Sequence, residues 1–121
     1  MPNGENDMKL LEKKCVACKG GQLPYTREEA ENMLPQINPA WELLDGSTKL
    51  TRVFKFKNFS VPMNLAVRIG EIADNENHHP DLNISWGKLS VTITTHTIKG
   101  LAESDFIFAA KVDEAFERFT P

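Results

Sequence analysis

No apolar run in the sequence exceeds four or five residues. Crossing a bilayer as a helix takes about 20, so a membrane-spanning helix is excluded. The first nine residues, MPNGENDMK, contain neither an apolar signal core nor an Arg-rich amphipathic start. No export or organelle signal is therefore visible, and a cytoplasmic location is expected. Cysteine is scarce. Cys15 and Cys18 are the two present, which is no disulfide framework and suits a reducing compartment. Excess positive charge is also missing. Lys plus Arg number 14 against 17 Asp plus Glu, for a net charge of −3, which argues against a general grip on nucleic-acid phosphates. There is no Gly-x-Ser-x-Gly nucleophile elbow and no phosphate-cradling glycine loop.

The 121 residues, 40% hydrophobic and 26% charged, are enough for one ordinary domain with its own core. Residues 1–24, with Gly and Pro among charged residues, read as a loosely ordered segment ahead of a single domain over 25–121. Thr26 with Glu29 is a capping-box pattern for a short helix carrying Ala30, Met33 and Leu34 and stopping near Pro35. Residues 41–44 read as a strand and Asp45-Gly46 as a turn. Residues 49–57 then alternate, with Leu50, Arg52, Phe54 and Phe56 on one face. Ser60 is the expected cap of a second helix striped by Val61, Leu65, Ile69, Ile72 and Ala73.

A second hairpin is expected from residues 82–86, a Gly87-Lys88 turn, and a run in which Leu89, Val91, Ile93 and Thr95 share one face. Ser104 is the expected cap of a last helix with Phe108, Val112, Ala115, Phe116 and Phe119 on its inner side. Helix, hairpin, helix, hairpin, helix makes an α+β two-layer domain. Its four-stranded antiparallel sheet comes from two β-hairpins, with helices packed on one face. The other face, carrying Thr, Lys and Ser, meets water or a second subunit.

All three histidines, His78, His79 and His96, fall within 19 residues. Pro80 pushes His79 into extended backbone, so the two neighbours splay apart. Asp74 stands one turn before His78 and can orient its imidazole. A strand end carrying His96 and a helix end carrying His78 can meet at one rim of the sheet. Imidazoles gain and lose protons near neutral pH, so this grouping suits eliminating water, which needs one proton given and another removed. Neither cysteine is near these histidines in sequence. Three histidines can also bind zinc, but adjacent ligands seldom reach one ion. A surface or capping role remains the plain alternative, as does a dipole-favoured helix start for Asp105. Cys15 and Cys18 have redox or zinc spacing without the context for either.

The pattern Asp74-x3-His78-His79-Pro80, then Trp86, His96 and Asp105, resembles the signature of the pterin-4a-carbinolamine dehydratase family. Residues 14–21, Lys-Cys-Val-Ala-Cys-Lys-Gly-Gly, resemble the leader of many microbial members. Trp41, Phe54-Lys55-Phe56, Thr95-His96 and Gly100-Leu101 fit the same pattern, so the resemblance runs from Cys15 to about Phe119. It implies dehydration of a 4a-hydroxytetrahydropterin to a quinonoid dihydropterin, with no redox cofactor and no metal. It implies His78 and His96 as the acid-base pair, His79 as the pterin holder, and Asp74, Trp41 and Asp105 as substrate-binding or supporting residues. It further implies a homodimer or homotetramer, and functional coupling to an aromatic amino acid hydroxylase. The alternative is a non-catalytic relative that binds proteins or stabilises a dimer. Two departures stand out: Asp74 where some relatives have Glu, and Ser104 where some have a basic residue.

Overall fold

The two runs of cleanest alternation become the middle of the sheet. The computed structural model describes residues 9–16 and 22–119. Among the described residues the chain forms helix α1 (Arg27–Met33), strands β1 (Glu42–Leu44) and β2 (Lys49–Lys55), helix α2 (Ser60–Glu76), strands β3 (Asp81–Ser85) and β4 (Lys88–Ile93), and helix α3 (Glu103–Arg118). Tight 3-10 turns occupy Leu10–Glu12, Leu34–Gln36 and His96–Ile98. The sheet order is β1-β2-β4-β3, antiparallel throughout. Both expected hairpins form, and they join along β2 and β4 with Arg52 opposite Val91 and Phe54 opposite Leu89.

Period-two alternation decides which side chains meet the helices. Leu50, Phe54, Leu89, Val91 and Ile93 are buried against Leu65, Ile69 and Ala73 of α2 and Phe108 and Val112 of α3. Each large aliphatic side chain so buried contributes about 1.5–3 kcal/mol. The opposite face carries Thr51, Lys55, Ser90 and Thr92, with the Thr51 and Thr92 hydroxyls 3.2 Å apart. Thr26 and Glu29 form the expected capping box on α1.

The start of α2 differs from expectation. Asn58, not Ser60, supplies the cap: its Oδ1 accepts the Val61 N–H at 2.9 Å. Phe59 is already helical, so the capping side chain sits two residues ahead of Ser60.

Within the N-terminal stretch, residues 9–16 dock on the domain. Leu10 is buried in the core, and Lys111 Nζ donates to the Leu11 carbonyl at 3.1 Å. Cys18 lies outside the described residues.

One turn glycine has no substitute. Gly87 has φ +71, and a Cβ there would stand 2.9 Å from the Phe56 carbonyl oxygen, which is backbone and cannot move aside. Gly87→Ala is expected to lower stability by about 1–3 kcal/mol through positive-φ strain and this clash. A thermal melt shifted by less than a degree would contradict it.

Candidate functional site

Two helix ends and one strand end meet at one rim of the sheet. At the end of α2, Asn77 adopts the left-handed conformation (φ 53, ψ 42), which asparagine tolerates and which closes helices. The His78 N–H folds back to the Ala73 carbonyl at 3.2 Å. This closure takes His78 off the helical face, so Asp74 does not meet it. The expected Asp74–His78 partnership is replaced by another: Asp74 Oδ1 lies 2.9 Å from Nε2 of His79, and both side chains are exposed. An exposed pair of this kind adds little stability but sets the direction of the ring.

His78 pairs instead with Asp105, at 2.8 Å between Nε2 and Oδ1. Asp105 is 0% exposed. Its Oδ2 accepts the Thr95 hydroxyl at 2.7 Å and the Ala102 N–H at 2.8 Å. As an ionised carboxylate Asp105 accepts only, so each of its three partners donates to it. His78 must then carry its proton on Nε2, leaving Nδ1 as the nitrogen open to a ligand. The ring also leans on Phe108, with centroids 5.8 Å apart at 55°. Asp105 has the structural role read from sequence as well, since its bond to Ala102 N–H caps α3. The cap expected of Ser104 is therefore made by its neighbour.

Ser104 is occupied elsewhere. Its Oγ accepts the Val16 N–H at 2.8 Å and donates to the Val16 carbonyl at 2.9 Å. Glu76 Oε1 accepts the Cys15 N–H at 2.9 Å, and Lys13 bonds Glu103 at 2.7 Å. These bonds lay residues 13–16 as a strap across the end of α2 and the start of α3. Burial alone would raise the Glu76 pKa, but the Cys15 N–H and the Lys111 ammonium outweigh it and hold the carboxyl below its usual range. Burial, then the Glu76 charge, push the Cys15 thiol up to about 12, so it is protonated and a poor nucleophile at neutral pH.

The strap closes one side of a cavity of about 300 Å³ lined by Cys15, Val16, Glu76, Asn77, His78, Thr95 and Thr97. His78 is thus in the wall of a pocket. His96 opens the 3-10 turn after β4 and is exposed. Thr95 points inward to Asp105, and His96 is not among the lining residues but stands between two of them, Thr95 and Thr97. The stem of this turn is fixed: Thr95 and Gly100 bond reciprocally, N–H to carbonyl, at 2.9 and 3.3 Å. Gly100 allows Pro24 to pass, because a Cβ would come within 2.5 Å of it.

The structure therefore brings together His78, Asp105 and the chain around His96, and keeps His79 with Asp74 on the exposed side of the same corner. Trp41 is not with them. It is buried, its Nε1–H donating to Asp113 Oδ1 at 2.7 Å, and Asp113 stands eight residues beyond Asp105, about 12 Å further along α3. Trp86 is exposed in the β3–β4 turn. Among the described residues, no three of His, Cys, Asp and Glu are placed to hold a metal ion, and no helix is long and apolar enough to cross a membrane. Thr95, Cys15 and Val16 were not singled out as site residues from the sequence. Thr95 had a signal, its place on the inward face of the β4 run beside His96. The strap had none beyond its nearness to the Cys-x-x-Cys pair.

Residues 23–115 match the family model described as pterin 4 alpha carbinolamine dehydratase. A protein of Methylococcus capsulatus provisionally named pterin-4-alpha-carbinolamine dehydratase is 50% identical over 105 residues, 87% of this chain and 91% of its own length. A relative from Rubrobacter xylanophilus with the same provisional name is 49% identical over 104 residues, 86% of this chain and 95% of its own. Among solved structures, a transcriptional coactivator/pterin dehydratase from Brucella melitensis superposes with a TM-score of 0.70 at 29% identity, covering 76% of this chain and 97% of that one. A pterin dehydratase-like protein described as a RuBisCO assembly factor of the alpha-carboxysome shares the fold, with a TM-score of 0.54 at 19% identity over 63% of this chain and 88% of that one.

Proposed function

The chain belongs to the pterin-4a-carbinolamine dehydratase family, and from that premise we propose that it dehydrates a 4a-hydroxytetrahydropterin by histidine acid-base catalysis. The observation that carries the proposal is the buried Asp105 carboxylate bonded to His78 in the wall of a cavity. In the reaction the C4a–O bond breaks and the hydroxyl leaves as water, taking a proton from an acid. The N5–H proton passes to a base as the C4a=N5 double bond forms, so no electrons are gained or lost. Asp105 plays toward His78 the part that an orienting acid plays in a catalytic triad: it fixes the ring and its tautomer. His78 Nδ1 then exchanges a proton with the substrate. His96, exposed beside the lining residues Thr95 and Thr97, serves as the second acid-base group. His79, steered by Asp74, holds the pterin edge. A positioned proton donor or acceptor supplies about 10²–10⁴-fold in rate. The product is a quinonoid dihydropterin for a reductase to recycle, and the substrate comes from an aromatic amino acid hydroxylase. The working form is a homodimer or homotetramer.

The test generates the carbinolamine with a phenylalanine hydroxylase and follows its decay by absorbance. The protein is expected to accelerate the decay, and His78→Ala, His79→Ala and His96→Ala are each expected to slow it with the fold intact. Decay no faster than the spontaneous rate would point to a protein-binding role, the kind of role named for the carboxysome neighbour. Full acceleration by all three variants would overturn the site assignment.

A further inference from the structure

The strap of residues 13–16 has an unusual balance of contacts. Polar anchors hold it: the Lys13 ammonium bonds Glu103, and the backbone is fixed by the Cys15 N–H to Glu76 and by both backbone groups of Val16 to the Ser104 hydroxyl. The Val16 side chain gains nothing from this, since the residue is 72% exposed. A strap serving stability alone would bury its apolar side chain, because that is where the free energy lies. Here the anchors hold an apolar side chain at the mouth of a cavity that also contains His78. Ser104 sits next to Asp105 in the first turn of α3, so one helical turn fixes both the ring of His78 and the position of Val16.

We propose that Val16 is part of the substrate site, an apolar cover that closes on the flat face of the bound pterin, and that Ser104 is the positioning residue that holds it there. This rests on the dehydratase reading above and adds to it a determinant of substrate binding outside the histidines. The ligand class is a planar heteroaromatic ring with a polar edge. Thr97 and Asn77 offer hydrogen-bonding groups to that edge, while Val16 offers an apolar surface to the ring face. The cover acts on the bound ring as a whole, so it stabilises ground state and transition state alike and governs KM rather than kcat.

The test compares the wild-type protein with Val16→Ala, Ser104→Ala and Ser104→Thr. It measures steady-state dehydration, equilibrium binding of 7,8-dihydrobiopterin, and amide hydrogen exchange at Val16. Val16→Ala, at an exposed position, keeps the fold. It is expected to raise KM and the dihydropterin Kd about fivefold and to move kcat less than twofold. Ser104→Ala is expected to raise both constants about tenfold and to speed exchange of the Val16 amide, because both its anchors are lost. Ser104→Thr, which keeps the hydroxyl, is expected to restore most of the affinity. Faster exchange without any change in KM or Kd would show a merely structural strap and overturn the proposal. So would a loss confined to kcat. In either of these cases an active wild type leaves the dehydratase reading standing. A wild type that neither binds the dihydropterin nor accelerates dehydration would overturn both.

Discussion

Asp105→Asn is expected to slow dehydration by about a hundredfold or more while leaving the protein folded. The argument is one of donors and acceptors. The Thr95 hydroxyl and the Ala102 N–H both point at one oxygen of Asp105, and His78 Nε2 at the other. An amide keeps one acceptor and gains two N–H donors. Its oxygen will stay with the two donors from Thr95 and Ala102, so its NH₂ group must face His78. Nε2 then has to accept, and the ring's proton moves to Nδ1. The nitrogen left for the substrate becomes a donor where a proton acceptor was available. His78→Ala is expected to cost a similar factor, and the double variant little more than either alone, because the two side chains act as one unit. Circular dichroism and a melt establish that the fold survives. Activity within threefold of wild type in Asp105→Asn would show that His78 does not depend on Asp105 for its role.

Asp113→Ala carries the largest expected loss of stability, about 3–5 kcal/mol. Asp113 is buried near the end of α3 and accepts three donors: the Asn38 N–H at 2.9 Å, Trp41 Nε1–H at 2.7 Å and an Arg52 Nη at 2.6 Å. It ties the segment before β1, strand β2 and helix α3 into one unit. Arg52 is nearly as buried, stacked over the rings of Phe54 at 4.4 Å and Phe116 at 5.3 Å, and its Nε has no partner among the described residues. Removing the carboxylate leaves a guanidinium in the core against the ring faces of Phe54 and Phe116. A cation–π contact at a desolvated site returns about 2 kcal/mol or somewhat more, against a desolvation cost of several kcal/mol for a buried ion. Native proteins are stable by about 5–15 kcal/mol in all, so this variant will be marginal at 37 °C. Pairing it with Arg52→Met is expected to recover part of the loss, since an apolar side chain there has no charge to strand. Urea unfolding measures both. A loss under 1 kcal/mol for Asp113→Ala would contradict the argument.

The elements were legible because each repeats a local rule. The alternation through Leu50, Arg52 and Phe54, and through Leu89, Val91 and Ile93, gave β2 and β4 with the correct inner face. The stripe Leu65, Ile69, Ala73 gave α2. The capping box at Thr26 was read residue by residue. The partnerships inside the site were not legible, because they join residues far apart in sequence and leave no period behind. His78 meets Asp105 across 27 residues, Trp41 meets Asp113 across 72, and Val16 meets Ser104 across 88. The helical rule that put Asp74 under His78 failed at a single residue, Asn77, whose left-handed backbone ended the period one step early. Grouping His78 with the segment around His96 needed only the ends of α2 and β4 to meet, which the two-layer arrangement requires. Which carboxylate holds which ring depended on backbone angles that no spacing reports.

The reciprocal bond between Thr95 and Gly100 has a thermodynamic consequence for His96. An imidazole on a floppy loop would surrender main-chain freedom each time it engaged a ligand, at about 1–2 kcal/mol for every residue brought to rest. Here folding has already stilled the main chain beneath it, and only rotation about two side-chain bonds is left to lose. A solvent-facing group can thus be recruited at small entropic cost, as if it had been built into a wall.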